Sequence, residues 1–148
     1  MRQENILNNP MQQQRTAGIV TKAYTFARNK HKGQTYGDGD FIDHPCQVVK
    51  ILASINADMN LLASGYLHDV LEDTDTTYDD LLTNFNVDIA NLVREVTKTK
   101  YNTFPDLHSR RGVMLKFADR LSNLKNMQLW GDEKQLKYIR KSKFWLNK

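Results

Sequence analysis

Between Lys50 and Arg94 the chain carries no lysine or arginine. Within that span it places a histidine and four acids among mostly apolar residues: Tyr66-Leu67-His68-Asp69-Val70-Leu71-Glu72-Asp73-Thr74-Asp75. On a helix His68 and Glu72 share one face, and Asp69 and Asp73 share the next. One helix end then holds an imidazole and three carboxylates, whose mutual repulsion destabilises it. Any fold that accepts this stretch must bring positive charge to it, and the side chains on offer suit a divalent cation better than a lysine. The plain alternative is a solvated acidic face with His68 as a structural residue. Matching ligands elsewhere in the chain decide between the two.

The rest of the chain is read as a single domain. A length of 148 residues suffices to bury a real core, and the 40% hydrophobic content is far above that of a disordered chain. Residues 1–14 are polar and Gln/Asn-rich, lack the apolar core of a signal peptide, and are read as a flexible lead-in to a domain over 15–148. The single cysteine, Cys46, rules out an internal disulfide, fits a reducing compartment and is read as a packing residue. No apolar run reaches the length of a membrane span, so a cytoplasmic protein with no membrane partner is expected. The net charge of +4 invites a nucleic-acid partner, but its distribution argues for something narrower. Basic residues gather at Lys98, Lys100, Arg110, Arg111, Lys116, Arg120 and Lys125, as if an acidic site faced a phosphate-binding surface. A further group from Lys134 to Lys148 is read as solubilising charge.

The periodicity predicts an all-α, compact helical bundle. Ile19, Val20, Ala23, Phe26 and Ala27 mark a helix over about Arg15 to Lys32. Gly37-Asp38-Gly39-Asp40 then makes a turn; it lacks the closing glutamate of a calcium loop and the GK[ST] ending of a nucleotide loop. His44-Pro45 opens the second helix, where a missing proline N–H costs nothing. Asp58 caps a third helix, expected to run unbroken through the acidic stretch. Thr76 or Thr77 caps a short helix over Tyr78 to Phe85, and Val87 to Thr97 forms another. A loop over about Lys98 to Ser109 leads to a largely buried helix from Arg110 to about Leu129, carrying Val113, Leu115, Phe117, Ala118, Leu121 and Leu124. Gly131-Asp132 introduces a last helix toward Trp145.

Two further positions are candidate partners of the acidic stretch. His44 stands at a helix start, free to point into a neighbouring helix end. Asp119 lies within Lys116-Phe117-Ala118-Asp119-Arg120-Leu121-Ser122-Asn123, and a buried aspartate needs a partner. Lys116, Arg120 or a metal ion can serve.

In order and context His44, His68-Asp69 and Asp119 resemble the His…His-Asp…Asp signature of HD-domain metal phosphohydrolases. His31-Lys32-Gly33-Gln34, Ile42-Asp43-His44-Pro45, the stretch from Leu67 to Thr74 and the segment from Lys116 to Leu124 together resemble the hydrolase domain of RelA/SpoT-type enzymes, especially small stand-alone alarmone hydrolases. The likeness runs from about Ala17 to Met127. It implies one divalent metal, usually manganese, held by His44, His68, Asp69 and Asp119. Glu72 and Asp73 match the catalytic acid pair, and the implied reaction removes pyrophosphate from the 3′ position of guanosine tetra- or pentaphosphate. Asn123 matches a nucleotide-contacting residue; Lys116, Lys32 and Tyr36 are further candidates for binding substrate.

The chain also departs from that pattern. Thr35-Tyr36-Gly37-Asp38-Gly39-Asp40-Phe41-Ile42 is shorter than the family's segment and lacks its basic Arg-Lys pair, which leaves Lys30, Lys32, Arg110 or Arg111 to compensate. The short segment after Trp145 leaves room for a homo-oligomer in which a partner subunit completes the last helix. Two other functions stay open: an HD-type phosphatase or phosphodiesterase on another nucleotide, and a non-catalytic nucleotide-binding module.

Overall fold

A computed structural model describes the backbone of residues 10–99, 106–127 and 131–146, and side chains over 18–99, 106–127 and 131–141. Its helices are α1 (Pro10–Lys30), α2 (Asp43–Ser54), α3 (Met59–Leu67), α4 (Val70–Asp73), α5 (Tyr78–Asn84), α6 (Val87–Val96), α7 (Arg110–Asn126) and α8 (Asp132–Leu146). A two-stranded antiparallel ribbon, β1 (Thr35–Tyr36) and β2 (Gly39–Asp40), occupies the expected turn and pairs Thr35 with Asp40 and Tyr36 with Gly39. Helix α1 starts at Pro10, five residues before the expected boundary, with proline in the first turn where it is tolerated. Residues 1–9 of the lead-in, and 100–105 of the loop with Pro105, lie outside the described residues. None of the described helices is long and apolar enough to cross a membrane.

Helix α3 is apolar on nearly every side, and the bundle is built around it. One core cluster joins Ala23 and Ala27 of α1 to Ala63 and Leu67 of α3, Val70, Leu81, and Ile89, Ala90 and Val93 of α6. A second joins Val48 and Leu52 of α2 to Leu61, to Leu92 and Val96 of α6, and to Leu115 and Ala118 of α7. Each large side chain wholly buried here stabilises the fold by about 1.5–3 kcal/mol. Gly65 sets how closely α3 approaches α2: a Cβ there would stand 2.9 Å from Val49 Cγ2 and 3.1 Å from Leu52 Cδ1. That approach carries the end of α3 to the start of α2, which is where His68 and His44 stand.

The helix ends are secured by side chains. Asp58 accepts from the Leu61 N–H, and Thr77 and Asp80 form a reciprocal capping box at α5. Arg111 ties three helix starts together, donating to Asp88 at 2.6 Å and to Asp58 at 3.2 Å.

Two expectations fail. The third helix does not continue through the acidic stretch but ends at Leu67, and His68-Asp69 forms a turn before α4. The His68 ring bonds the Gly65 carbonyl at 2.8 Å, competing with the backbone N–H that this carbonyl accepts in an unbroken helix. Helix α7 is not largely buried: Phe117, Leu121 and Leu124 are 47%, 46% and 40% exposed, while Leu115, Ala118, Asp119 and Ser122 face inward. Apolar residues fall on both sides of α7, and only one side meets the bundle.

The start of α7 hangs on one buried carboxylate. Glu95 accepts from the backbone N–H groups of His108 and Ser109 at 3.1 and 3.0 Å and from the Ser109 hydroxyl at 2.7 Å. A Cβ on Gly112 would collide with that carboxylate. Gly112→Ala is therefore expected to displace Glu95, cost about 1–3 kcal/mol in lost hydrogen bonding, and lower the Tm by several degrees in thermal unfolding. An unchanged Tm would show that Glu95 moves aside freely.

Candidate metal centre and its cleft

The break after Leu67 lets two adjacent side chains converge, which neighbours on a regular helix do not do. Asp69 Oδ2 lies 3.0 Å from His68 Nε2 and 3.8 Å from His44 Nε2. From α7, Asp119 Oδ1 approaches His44 Nε2 at 2.9 Å and His68 Nε2 at 3.4 Å. Ligating atoms of His44, His68 and Asp119 all fall within 4.8 Å of one another, and these three residues are buried. The structure thus gathers the four expected ligands from the starts of α2 and α4 and from the inner face of α7.

The proton positions bear on what belongs between them. His68 donates Nδ1–H to the Gly65 carbonyl, so in its neutral form Nε2 carries a lone pair. That Nε2 is buried, and no hydrogen bond reaches it with proper geometry, although two carboxylate oxygens stand within 3.4 Å. At His44 the tautomer is set through Ser122. The Ser122 hydroxyl donates its one proton to Gln47 Oε1 at 2.8 Å, and Gln47 Oε1 also accepts from Asn126 at 2.6 Å. Ser122 Oγ can then only accept, from His44 Nδ1–H at 3.0 Å, which leaves His44 Nε2 as an acceptor facing the Asp119 carboxylate. Lone pairs aimed at carboxylates across a buried gap fit a cation between them. A ligating imidazole whose second nitrogen is bonded to a carbonyl or hydroxyl is the arrangement that metal sites use. Two imidazoles and two carboxylates suit a borderline-hard divalent ion and leave positions for other ligands.

The electrostatics divide the acids into two groups. At Asp119 burial works upward, but Lys116 at 3.1 Å and both histidines outweigh it and hold the carboxyl well below its ordinary range. Burial also opposes ionisation of Asp69, and His68 outweighs it, so that carboxyl too is lowered. Glu72 and Asp73 go the other way. Loss of water in the cleft raises both; the Lys98 N–H, 2.6 Å from Glu72 Oε1, opposes this at Glu72, and the Asp69 charge reinforces it at Asp73. One pair stays ionised while the other is pushed toward holding a proton, a division found where acid–base work is done.

A cleft of 390 Å³ opens over the cluster, with Asp69, Glu72, Asp73 and Asp119 in its wall. Tyr36 covers His44, ring on ring at 4.7 Å, and its hydroxyl donates to Asn123 Oδ1 at 2.7 Å. Burial pushes that phenol up to about 12, so it stays a neutral donor. Tyr36, Asn123 and Lys116 stand in this wall. Lys32 does not: it lines a separate 390 Å³ cavity with Tyr24, Arg28 and Phe41, because it follows the inward-facing His31 and points away. Two of the other three proposed compensating cations are engaged elsewhere, Lys30 with Asp75 at 3.0 Å and Arg111 with Asp88. The wall also holds Lys98, one of the basic residues read from the sequence as a phosphate-binding surface, and Lys134, Tyr138 and Lys141, none of which is a sequence candidate for the site. The reading of the C-terminal lysines as solubilising charge is corrected for Lys134 and Lys141. Their signal in the sequence is the four- and seven-residue spacing of Lys134, Tyr138 and Lys141, one helix face.

The chain matches the HD domain family over residues 23–111, a span with His44, His68 and Asp69 that ends before Asp119. It is 34% identical over 137 residues to the guanosine-3′,5′-bis(diphosphate) 3′-pyrophosphohydrolase of Aquifex aeolicus (strain VF5), covering 83% of this chain and 20% of that protein. It is 30% identical over 145 residues to the guanosine-3′,5′-bis(diphosphate) 3′-pyrophosphohydrolase MESH1 of Xenopus tropicalis, covering 83% of this chain and 80% of that protein. Thus it spans about a fifth of the bacterial relatives and four-fifths of the animal one. A solved structure of a metazoan ortholog of SpoT, which hydrolyzes ppGpp, superposes with a TM-score of 0.69 at 28% identity over 81% of this chain and 79% of that one.

Ser122→Ala removes the acceptor that orients His44 without touching any ligand. It is expected to keep the fold and weaken divalent-cation binding about 10–100-fold, measured by calorimetric titration of the metal-free protein. Undiminished affinity would mean that His44 needs no such support.

Proposed function

This chain belongs to the HD domain family, and from that premise we propose that it is a metal-dependent hydrolase that removes pyrophosphate from the 3′ position of guanosine tetra- or pentaphosphate. The single observation that carries the reading is the convergence of His44, His68, Asp69 and Asp119 with the acid pair Glu72 and Asp73 at one end of one cleft. The relatives named for this reaction support the substrate. A retired scaffold is disfavoured because every one of these six side chains is present and assembled.

His44, His68, Asp69 and Asp119 are the proposed ligands of one divalent ion, taken to be manganese. When bound, such an ion supplies Lewis acidity toward a phosphoryl oxygen and lowers the pKa of water. The remaining work falls to the chain. Glu72, fixed by the Lys98 N–H, orients the attacking water and takes its proton, and Asp73, raised by burial and by Asp69, holds a proton for the leaving oxygen. Lys116 keeps Asp119 ionised and offsets charge gathering on the phosphates. Tyr36 shields His44 from solvent on the ribbon side. A cytoplasmic setting, where nucleotides are held, accords with this role.

The reading is tested by incubating the protein with manganese and guanosine tetraphosphate and separating the products. Pyrophosphate with guanosine 5′-diphosphate is expected; release of orthophosphate would instead indicate an HD-type phosphatase. Glu72→Gln should keep the metal and lose at least about 100-fold in kcat. The raised Glu72 carboxyl acts ionised, so kcat should fall as pH drops through a value above the ordinary glutamate range near about 4.3. An acid limb at the ordinary value, or an unchanged rate in Glu72→Gln, would remove Glu72 from the mechanism.

A further inference from the structure

The motif His31-Lys32-Gly33-Gln34 stands outside both the ligand cluster and the cleft wall. Its hydrogen bonds show what it is joined to. Gly33, at a φ of 88°, makes the turn after α1, and the Gln34 N–H returns to the His31 carbonyl at 2.9 Å. The Gln34 carbonyl accepts the Phe41 N–H at 3.1 Å, which fixes the residue to the far side of the ribbon. Its side chain reaches across to α4. Gln34 Nε2 donates to the Asp73 carbonyl at 2.9 Å, and Gln34 Oε1 faces His31 Nδ1 at 2.9 Å.

The direction of each bond is forced. A backbone carbonyl can only accept, so the amide turns its NH2 group to Asp73. That leaves Oε1 toward His31, whose Nδ1 must carry the proton. His31 is 2% exposed, and its Nε2 is buried with no hydrogen bond among the described residues. A proton placed there would be a buried donor without an acceptor. Burial, the largest influence on the ring, also lowers its pKa and favours the neutral form. The Phe41 ring, centred 4.3 Å away and tilted by 30°, packs on the imidazole and holds it in place.

What the amide grips is the end of α4, the four-residue helix that carries Glu72 and Asp73. So short a helix does not stand by itself, and its last carbonyls lack helical partners. Thr74 sends both its N–H and its hydroxyl to the Val70 carbonyl, at 3.2 and 2.6 Å, so the Asp73 carbonyl is left to Gln34. The two acids are held differently. Glu72 Oε1 receives the Lys98 N–H at 2.6 Å. Among the described residues the Asp73 carboxyl accepts no hydrogen bond, and Asp69, His68, Lys98 and Asp119 act on it through charge alone. Its direction in the cleft therefore follows from its backbone, which Gln34 fixes.

We propose that Gln34, oriented by His31, is the positioning residue for Asp73, capping α4 so that the Asp73 carboxyl meets the leaving oxygen. It acts through the Asp73 carbonyl and not on the reacting atoms. This rests on the proposed pyrophosphohydrolase activity and deepens it.

The test is steady-state kinetics of the manganese-loaded protein on guanosine tetraphosphate, with manganese affinity measured by calorimetry for each variant. Gln34→Ala removes both side-chain bonds. Gln34→Glu keeps the reach and the His31 bond but sets an oxygen against the Asp73 carbonyl. Each is expected to lower kcat about tenfold, the loss of one hydrogen bond, with KM and manganese affinity within about twofold. His31→Phe keeps a ring without the donor and should lower kcat likewise, whereas His31→Asn, which can donate from near the Nδ1 position, should stay within about threefold of wild type. Lys30→Ala breaks only the exposed pair with Asp75, another tie between the end of α1 and the chain after α4, and should behave as wild type. Full kcat in both Gln34 variants, or an equal loss in Lys30→Ala, would overturn the assignment. So would a loss that tracks weaker manganese binding. If wild-type protein releases no pyrophosphate, the activity itself is refuted, and backbone hydrogen exchange decides the cap alone. The Asp73 and Thr74 N–H groups should then exchange about tenfold faster in Gln34→Ala; equal exchange removes the cap.

Discussion

Lone pairs pointed at one another across a buried gap are the constraint on which this structure turns. His44 and His68 each have one nitrogen committed as a donor, to Ser122 and to the Gly65 carbonyl, and each turns the other toward carboxylates. Such an assembly holds together only with positive charge inside it. With no ion present protons take that part: burial disfavours a charged His68, yet Asp69 and Asp119 outweigh burial and raise its pKa well above the ordinary value. A divalent cation held by these residues would take the place of those protons, so metal and protons would compete for the same atoms.

The two apolar clusters explain how such an unfavourable gathering is tolerated. Both include α3 and α6; the first joins them to α1, α4 and α5, and the second joins them to α2 and α7. The close contact at Gly65 and the Glu95 anchor at the start of α7 fix the backbone on either side of the charged group. Packing energy spread over many buried side chains thus pays for a few badly solvated ones.

Much of this was legible because the signals are local. Proline after His44, Asp58 and Thr77 before helix starts, and helical spacing of apolar residues each act within one turn, and the helices follow them. The four cluster residues were legible as a pattern of types in order. What escaped depends on partners distant in sequence. The interruption at His68 comes from a side chain competing for a backbone carbonyl, which periodicity does not register. The exposed side of α7 and the place of Lys134 and Lys141 in the cleft wall depend on where each helix docks, and lysines at that spacing read equally well as a solvent face. Lys32 misled for the opposite reason: sequence proximity to the motif is not proximity in space.

The hydrogen bonds behind His44 run in one direction, from the ring to Ser122 and from Ser122 to Gln47, with Asn126 closing the line. A directed line of this kind makes the chemistry sensitive to residues that never meet a nucleotide. Gln47 lies three residues after His44 on α2, and Asn126 ends α7. Exchange of Asn126 for a shape-matched aspartate replaces the donor on Gln47 Oε1 with an acceptor, which favours a turned Gln47 amide, a reversed Ser122 hydroxyl and the wrong face of the His44 imidazole toward the cleft. Drift is therefore constrained at positions on α2 and α7 one to two turns beyond the cluster residues, by the orientation of a single hydroxyl.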